Sequence, residues 1–158
     1  MRKRRTLSAL RGSTTLDTSA FIEYLTGSDL GRVVKEYFET LKSTENVYCS
    51  LYSVSEIFYV LCRLKGPEYA AEKLNLMLSS HIVEVNGTME MALEAGKLKC
   101  GRALSMADCS CISTAKITGS RAIFAQREKE LAKEMNKEVF DVEILLLTDL
   151  STKQLTMA

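Results

Sequence analysis

The sequence predicts an α/β fold in which helices cover both faces of a mainly parallel central sheet, a three-layer α/β/α sandwich. Short apolar runs rich in β-branched residues alternate along the chain with longer segments whose apolar residues recur at helical spacing. Turn and cap signals separate the two kinds of segment. The chain has 158 residues and is 46% hydrophobic, which is enough for one core and little for two, so we expect a single domain.

The first predicted strand ends at an acid. Residues 14–16 are apolar or β-branched, and Asp17 follows them directly. A helical pattern then runs from Phe21 to Leu25 and stops at Gly27. In open parallel sheets ligands bind beyond the carboxyl ends of the strands, which is where Asp17 would lie. Aspartate is also a preferred helix cap, so a purely structural role for Asp17 is the alternative.

The middle of the chain continues the alternation. Residues 29–42 and 68–78 place apolar side chains at helical spacing, and residues 46–49 are short and apolar like a buried strand. Ser53 and Glu56 have the spacing of a capping box. This pattern predicts that a helix opens at Ser53.

The second half of the chain has the same organisation. Residues 81–85 alternate like a strand, and residues 121–125 form another apolar run. Ser105 and Asp108 form a second capping box, which opens a helix that stops at Gly119. The same patterns predict helices at residues 88–104 and 126–135 and strand-like runs at residues 139–140 and 144–147.

Four acids follow predicted strands in a similar manner. Asp17 comes directly after a strand, and Glu56 and Asp108 are predicted in the first turns of helices that follow strands. Glu128 lies a few residues after the strand that ends at Ala125. Because parallel strands end at one edge of the sheet, we expect the four carboxylates to gather there. For each acid alone, helix capping is the alternative interpretation.

Carboxylates gathered in this way would form a cation site. No lysine or arginine flanks Asp17, Glu56 or Asp108 directly, so their charges would repel unless protons or a cation neutralised them. Oxygen ligands of this kind suit Mg²⁺ or Mn²⁺, which activate water for phosphodiester cleavage.

The lone His81 and five scattered cysteines argue against a histidine triad, a zinc site or a disulfide framework, so we expect free thiols.

These motifs together resemble the PIN-domain family, and within it the VapC-type toxins of prokaryotic toxin–antitoxin pairs, especially archaeal forms. The similarity extends over residues 15–150. The segments that carry it are Leu16–Glu23, Ser53–Glu56, Leu104–Asp108 and Ala122–Ala125. It implies a parallel-sheet α/β/α fold, an endoribonuclease that depends on Mg²⁺ or Mn²⁺, a cognate antitoxin as inhibitor, and a homodimer.

The resemblance also implies roles for individual residues. By position, Asp17, Glu56 and Asp108 match three acids of the family's metal site. Thr18 or Ser19 matches a hydroxyl that supports the first acid, and Ser105 is a further supporting residue. Many members place an aspartate shortly after the fourth strand. This chain has Gln126-Arg127-Glu128-Lys129-Glu130 there, and Glu128 is our choice of fourth acid.

Two other classes of function remain open from the residues alone. One is a non-catalytic module whose pocket only recognises RNA or a partner protein. The other is a phosphatase or phosphotransferase with Asp17 as nucleophile, although such enzymes usually have a second aspartate where this chain has Ser19. An apolar strip on the helices between residues 29 and 64 would suit self-association, with burial of those positions in the core as the alternative.

The start of the chain is more basic than the rest of it. Residues 1–16 carry five basic side chains and no acid, which leaves 16 basic against 20 acidic residues elsewhere. We expect residues 1–13 to form a basic arm that is suited to phosphate contact, with a disordered tail as the alternative. Residues 14–150 are expected to form the domain and residues 151–158 a tail. No apolar run is long enough to span a bilayer and no secretory signal follows the basic start, so we expect a cytoplasmic protein.

Overall fold

The structure, a computed structural model, describes residues 10–150. Its strands are β1 (Thr14–Leu16), β2 (Val47–Ser50), β3 (Val83–Asn86), β4 (Arg121–Phe124) and β5 (Ile144–Leu146). Its helices are α1 (Thr18–Thr26), α2 (Asp29–Glu39), α3 (Leu51–Lys65), α4 (Pro67–Ser79), α5 (Met89–Gly101), α6 (Met106–Thr118) and α7 (Lys129–Lys137). Strands and helices therefore alternate as the sequence predicts.

The five strands form one sheet in the order β3-β2-β1-β4-β5. Every neighbouring pair is parallel, and the central strand β1 places Leu16 opposite Ile123 of β4. Because all strands point the same way, their carboxyl ends share one edge. The predicted parallel α/β architecture is confirmed, and β1 delivers Asp17 to the middle of that edge.

The hydrophobic core lies in two layers on opposite faces of the sheet. One layer packs Phe21, Tyr37 and Ile57 from α1 to α3 against sheet residues such as Ile123. The other packs α5, α6 and α7 against the opposite face, and its members include Ala122, Phe124, Cys111 and Leu131. Ala122 and Ile123 are consecutive in β4 and belong to different layers, as the alternation of side chains along a strand requires. This arrangement is the predicted three-layer sandwich.

The amino-terminal boundary of the folded part lies earlier than the sequence indicates. Leu10 is 2% exposed and belongs to the core. Tyr37 Oη donates a hydrogen bond to Gly12 O at 2.6 Å, and Asn46 N donates one to Ser13 Oγ at 2.9 Å. Residues 10–13 therefore pack on the domain, while the rest of the predicted arm and the predicted tail fall outside the described residues.

The capping box predicted at Ser53 and Glu56 is wrong. Helix α3 begins at Leu51, and Ser50, the last residue of β2, caps it by accepting a hydrogen bond from Tyr52 N at 3.2 Å. Since β2 passes directly into the helix, Ser53 lies inside it, fully buried, with no hydrogen-bond partner for its hydroxyl. Glu56 is consequently in the second turn of α3 and has no capping role.

The predictions at the second capping box and at the chain's end had different outcomes. Ser105 caps α6 as predicted, since its Oγ accepts a hydrogen bond from Asp108 N at 3.1 Å. The strand expected at residues 139–140 does not form, because Val139 is 86% exposed and Phe140 packs against the guanidinium of Arg102, 3.7 Å from its ring centre.

All five cysteines are free thiols, as predicted. Within residues 10–150 no helix has the length and apolar character to cross a bilayer.

Candidate functional site

The four predicted acids lie on elements that meet at the carboxyl edge of the sheet. Asp17 follows β1 and caps α1, and Asp108 lies in the first turn of α6. Glu56 lies in the second turn of α3, which follows β2. Glu128 precedes α7 in the loop after β4, and its side chain forms no cap hydrogen bond. We call these four residues the acid cluster.

The charges of the acid cluster act on one another. The Asp17 carboxylate raises the pKa of Glu56, Asp108 and Glu128. Glu128 in turn raises the pKa of Glu56 and of Asp108. Like charges disfavour ionisation only when they are close. The structure therefore brings acids that are up to 111 positions apart in the sequence into one negatively charged neighbourhood.

Asp17 is the most enclosed of the four. It is 5% exposed, and burial raises the pKa of its carboxyl, while hydrogen bonds from Ser19 lower it in part. Asp17 Oδ2 accepts from Ser19 N at 3.0 Å and from Ser19 Oγ at 2.7 Å. Asp17 Oδ1 is buried and has no hydrogen-bond partner. One oxygen is thus fixed by the helix cap, and the other is left without a donor.

Asp108 is 8% exposed, and its pKa is raised to about 7. Burial is the largest cause, followed by the charges of Asp17 and Glu128, and a side-chain hydrogen bond with Ser105 opposes them. A carboxyl with this pKa carries a proton in part of the molecules near neutral pH. A cation that bound the carboxylate form would have to displace that proton.

The two glutamates are more accessible. Glu56 is half-buried and Glu128 is exposed, and burial, followed by the charge of Asp17, raises the pKa of each. Arg127, the sequence neighbour of Glu128, lies 3.9 Å from Asp149, measured from Nη2 to Oδ2. No lysine or arginine of the described part of the chain lowers the pKa of any member of the acid cluster.

The donor set fits a hard divalent cation. Carboxylate oxygens are the ligands that Mg²⁺ and Mn²⁺ prefer, and the unpartnered buried Oδ1 of Asp17 is the kind of atom that a cation would satisfy. Within residues 10–150, however, no three histidine, cysteine, aspartate or glutamate side chains are already arranged as a metal site. The acids nevertheless share one electrostatic environment, since the charge of Asp17 acts on the other three.

The hydroxyls near the acid cluster have distinct contacts. The sequence left Thr18 and Ser19 as alternatives for support of Asp17, and the structure shows that Ser19 makes this contact, whereas the buried Thr18 hydroxyl has no partner. Ser19 Oγ also accepts a hydrogen bond from Ala125 N at 3.0 Å, a tie to the end of β4 that sequence reasoning missed. No motif signals that contact, because residues 106 positions apart form it and only the strand order brings them together.

Comparison with known proteins gives one family and a set of similar folds. A model of the PIN domain family matches residues 14–138, which is most of the chain. No curated protein matches the chain. The matched range contains all four members of the acid cluster.

Solved structures with a similar fold include toxin–antitoxin proteins. DNA-bound VapBC from Salmonella typhimurium is 15% identical, with 86% of this chain and 98% of that chain covered and a TM-score of 0.64. VapBC2 from Rickettsia felis, bound to a promoter fragment, is 13% identical, with coverage of 84% and 97% and a TM-score of 0.62. VapC20 from Mycobacterium tuberculosis, a toxin that cleaves the sarcin–ricin loop, is 18% identical, with coverage of 77% and 95% and a TM-score of 0.59. At these identities the likeness shows a shared fold.

Proposed function

Because the chain belongs to the PIN domain family, we propose that it is a metal-dependent endoribonuclease and the toxin of a toxin–antitoxin pair. The observation that carries the proposal is the acid cluster, four carboxyl side chains on elements that meet at the carboxyl edge of a parallel sheet, where the charge of Asp17 raises the pKa of the other three. Further support comes from the similar folds, which belong to toxin–antitoxin proteins, one of them an RNA-cleaving toxin.

We propose that Asp17 and Asp108 are the principal ligands of Mg²⁺ or Mn²⁺, that Glu56 assists them, and that Glu128 is the fourth acid. When bound, the cation supplies positive charge that polarises the phosphodiester and increases the acidity of water. The chain's own contribution is to hold two of the four acids, Asp17 and Asp108, in a site that is largely shielded from solvent. Ser19 orients the Asp17 carboxylate, Ser105 caps the helix that carries Asp108, and burial of the two carboxylates strengthens their attraction to a cation.

The proposal is tested with the amides Asp17→Asn and Asp108→Asn. Each replaces a carboxylate by a neutral group of nearly the same shape, so the fold should survive while the cation loses a ligand. We expect Mg²⁺-dependent RNA cleavage to fall by at least about 100-fold in either variant, as for loss of a group that stabilises transition-state charge. The measurement is single-turnover cleavage of RNA, with circular dichroism as the check on folding.

Glu72→Gln is the matched control, because Glu72 is an exposed acid on α4 and its charge shifts the pKa of no member of the acid cluster. Its cleavage rate should equal that of the wild type, and EDTA should stop cleavage by both. Full cleavage by the Asp17→Asn or Asp108→Asn variant, or undiminished cleavage in EDTA, would refute the nuclease proposal.

A non-catalytic RNA- or protein-binding module is the second candidate. It is favoured by the exposed position of Glu128 and by acids that are not already arranged as a metal site within residues 10–150. A titration of Mn²⁺ into the protein, followed by calorimetry and by RNA cleavage in parallel, distinguishes the two. Saturable binding of Mn²⁺ without turnover would favour the module.

We also propose two protein partners, a cognate antitoxin and a second copy of the chain. The apolar side chains predicted on α2 are largely in the core, whereas α3 exposes large apolar side chains at Leu51, Tyr52, Phe58, Tyr59 and Leu64. That exposed face of α3 supports self-association. Light scattering after size exclusion should give about twice the chain mass of 17.6 kDa, and Phe58→Ser with Tyr59→Ser should reduce it to the monomer value.

A further inference from the structure

A cavity of about 500 Å³ opens at the same edge of the sheet as the acid cluster. Its volume is in the usual range for small-molecule sites. The walls come from the start of α3, the turn between β3 and α5, the first half of α5, and α6. Gly87 in that turn lies so close to α3 that a Cβ there would be 2.6 Å from Leu51 Cβ. The turn thus closes against α3 and forms one wall.

The cavity and the acid cluster share two helices. Tyr52 lines the cavity and precedes Glu56 by four residues on α3, which places both on one face of the helix. Met106 and Ser110 line the cavity from one face of α6, whereas Asp108, two residues from each along the chain, lies on another face of the same helix. A ligand that contacts Tyr52 would therefore lie about one helical turn from Glu56, one of the proposed metal ligands.

The cavity lining is uncharged and mostly apolar, with a few side-chain hydroxyl and amide groups. No charged side chain lines the cavity, so a phosphate has no counter-charge there. Methionine, alanine, leucine and tyrosine side chains form most of the wall, and side chains with hydroxyl or amide groups interrupt it. Ser50 Oγ accepts from Tyr52 N, Ser110 Oγ donates to Met106 O, and Asn86 Nδ2 donates to Glu84. Each of these three groups keeps capacity for another hydrogen bond.

This combination suits a flat, uncharged heteroaromatic group better than a purely apolar side chain. An aliphatic or phenyl group would fill the body of the cavity but would not use the remaining hydrogen-bond capacity of the hydroxyl and amide groups. A nucleobase has apolar faces for contact with methionine and tyrosine and carries donors and acceptors on its edge. Tyr52, 46% exposed at the mouth, is placed to stack on such a ring.

We propose that this cavity is a nucleobase subsite, which holds one base of the RNA beside the phosphodiester that the acid cluster attacks. The inference rests on the proposed nuclease function and extends it to substrate selection. The neutral cavity takes the base, and the acid cluster with its cation takes the phosphate. Cleavage then depends on which base can pair with the polar groups of the lining.

Methionine methyl groups give a direct test of binding. Met89, Met91 and Met106 line the cavity, whereas Met77 is buried in α4 and Met135 lies on α7. The full chain, labelled with ¹³C at the methionine methyls, is titrated with each of the four ribonucleoside 5′-monophosphates in Mg²⁺ and with ribose 5-phosphate. We expect the three cavity methyls to shift with at least one nucleotide, Met77 and Met135 to stay unchanged, and ribose 5-phosphate to shift none of the five.

A cavity-filling substitution tests the link to catalysis. Ala92 is exposed on α5 and lines the cavity, so Ala92→Leu adds volume there without displacing core atoms. Ala71→Leu on α4 is the matched control, since Ala71 is also exposed and helical but outside the cavity. The rates to compare are for a random-sequence RNA pool and for an abasic oligoribonucleotide, a diester that carries no base or other ring for the cavity to hold.

We expect Ala92→Leu to lower the ratio of the RNA rate to the diester rate by about tenfold, in line with the loss of one stacked base. The base preference at the cleaved ends should weaken, and Ala71→Leu should change neither quantity. Absence of nucleotide-induced shifts at the cavity methyls, or an unchanged ratio in Ala92→Leu, would overturn the subsite. Failure of the nuclease function is seen separately, as no metal-dependent hydrolysis of either substrate by the wild type.

Discussion

At the scale of single residues, Ser19 joins the two strands that matter most for the site. Its Oγ donates to Asp17 Oδ2 and accepts from Ala125 N, so one hydroxyl links the end of β1 with the end of β4. A hydroxyl is well suited to this position because it donates and accepts at once. The orientation of the Asp17 carboxylate therefore depends on the spacing of two neighbouring strands.

Removal of the Ser19 hydroxyl should weaken catalysis without removing a proposed metal ligand. In Ser19→Ala, Asp17 loses one of its two donors and Ala125 N loses its acceptor, so we expect RNA cleavage to fall by about 10- to 100-fold. Ser19→Thr keeps a hydroxyl and should recover most of the rate. The measurement is kcat in saturating Mn²⁺.

Ser79→Ala serves as control, because the Ser79 hydroxyl is exposed and bonds only within its own helix, to Asn75 O and Leu76 O. It should cleave at the wild-type rate. Equal rates for Ser19→Ala and the wild type would contradict the role of Ser19 as support of Asp17.

At the start of α3, replacement of two nearby serines by alanine should change the free energy of unfolding in opposite directions. Ser50 caps the helix, so Ser50→Ala should lower the free energy of unfolding by about 1 kcal/mol. Ser53 is buried without a partner, so Ser53→Ala should raise it by roughly 1 kcal/mol, because an unsatisfied hydroxyl leaves the core. Urea unfolding of both variants provides the measurement. Destabilisation by Ser53→Ala would restore the capping box that the sequence predicted.

These residues also show what local patterns can and cannot predict. Asp17 was left with two alternative roles, and the structure gives its two oxygens different surroundings: Oδ2 caps the helix and Oδ1 has no partner. The capping box at Ser53 failed because a hydroxyl three residues earlier, at the end of β2, meets the same need. Spacing alone does not distinguish two serines so close together, because the point where the strand ends decides between them.

At the scale of elements, Arg102 fastens α7 to the segment before α6. Its Nη1 donates to Glu134 O and Glu138 O, and its Nη2 donates to Val139 O, each at 3.0 to 3.1 Å. These carbonyls lie at the end of α7, where helix carbonyls have no partner within the helix. Glu134 Oε2 lies 3.6 Å from Nη1, and its Oε1 accepts from Ala103 N. The helix that bears Asp108 and the helix that follows Glu128 are thereby held together.

Loss of this contact should be costly. The side chains of Arg102 and Glu134 are only 10% and 6% exposed. Arg102→Ala therefore leaves the buried carboxylate with only the distant cation of Lys137, at 4.0 Å, and removes the arginine donor from the carbonyls of Glu138 and Val139. We expect the free energy of unfolding to fall by about 3 kcal/mol. Arg32→Ala is the control, since Arg32 pairs with Asp29 in solvent, and it should cost less than about 0.5 kcal/mol. Similar losses of unfolding free energy for the two variants in urea would contradict the proposed contribution of Arg102 to stability.

The elements themselves were largely predictable, and their ends were less so. The alternation of short strand-like runs with helical spacing predicted each strand of the sheet. The central strands are apolar or β-branched runs buried on both faces, whereas the edge strand β3 was recognisable by the alternation of its side chains. The criterion of a short apolar run wrongly included residues 139–140, where Val139 is exposed and Phe140 covers Arg102. An apolar pair does not reveal whether it will meet a neighbouring strand or a side chain.

At the scale of the whole molecule, topology explains why the acids meet. Parallel strands end at one edge, so acids that follow different strands are neighbours in space even when they are far apart in sequence. The parallel sheet was predictable from the pattern, and so was this gathering. The cavity was not, because its walls come from three helices and a turn, and their approach depends on contacts such as that of Gly87 with Leu51.

The gathering of like charges predicts how stability depends on pH without metal. Asp17, Asp108, Glu56 and Glu128 have a pKa above the ordinary value in the folded state, that of Asp108 being about 7, so folding favours their protonated forms. Their contribution is present below the unfolded pKa near 4 and is lost as pH rises through the folded pKa. In EDTA, we expect the unfolding free energy of the wild type to fall between about pH 5 and pH 8 more steeply than that of Asp108→Asn. Parallel pH profiles in urea unfolding would contradict the raised pKa of Asp108.

A divalent cation should reverse this trend, because it competes with protons for the same oxygens. Asp108, whose pKa is about 7, is ionised at about pH 8 and adds its charge to the acid cluster, so Mn²⁺ should relieve the repulsion there and raise the unfolding temperature by several degrees. At about pH 5 Asp108 carries a proton, so the rise should be smaller. In Asp17→Asn with Asp108→Asn the effect of Mn²⁺ should vanish at both pH values. If that double variant gains as much as the wild type from Mn²⁺, the cation binds elsewhere, and the acid cluster is not its site.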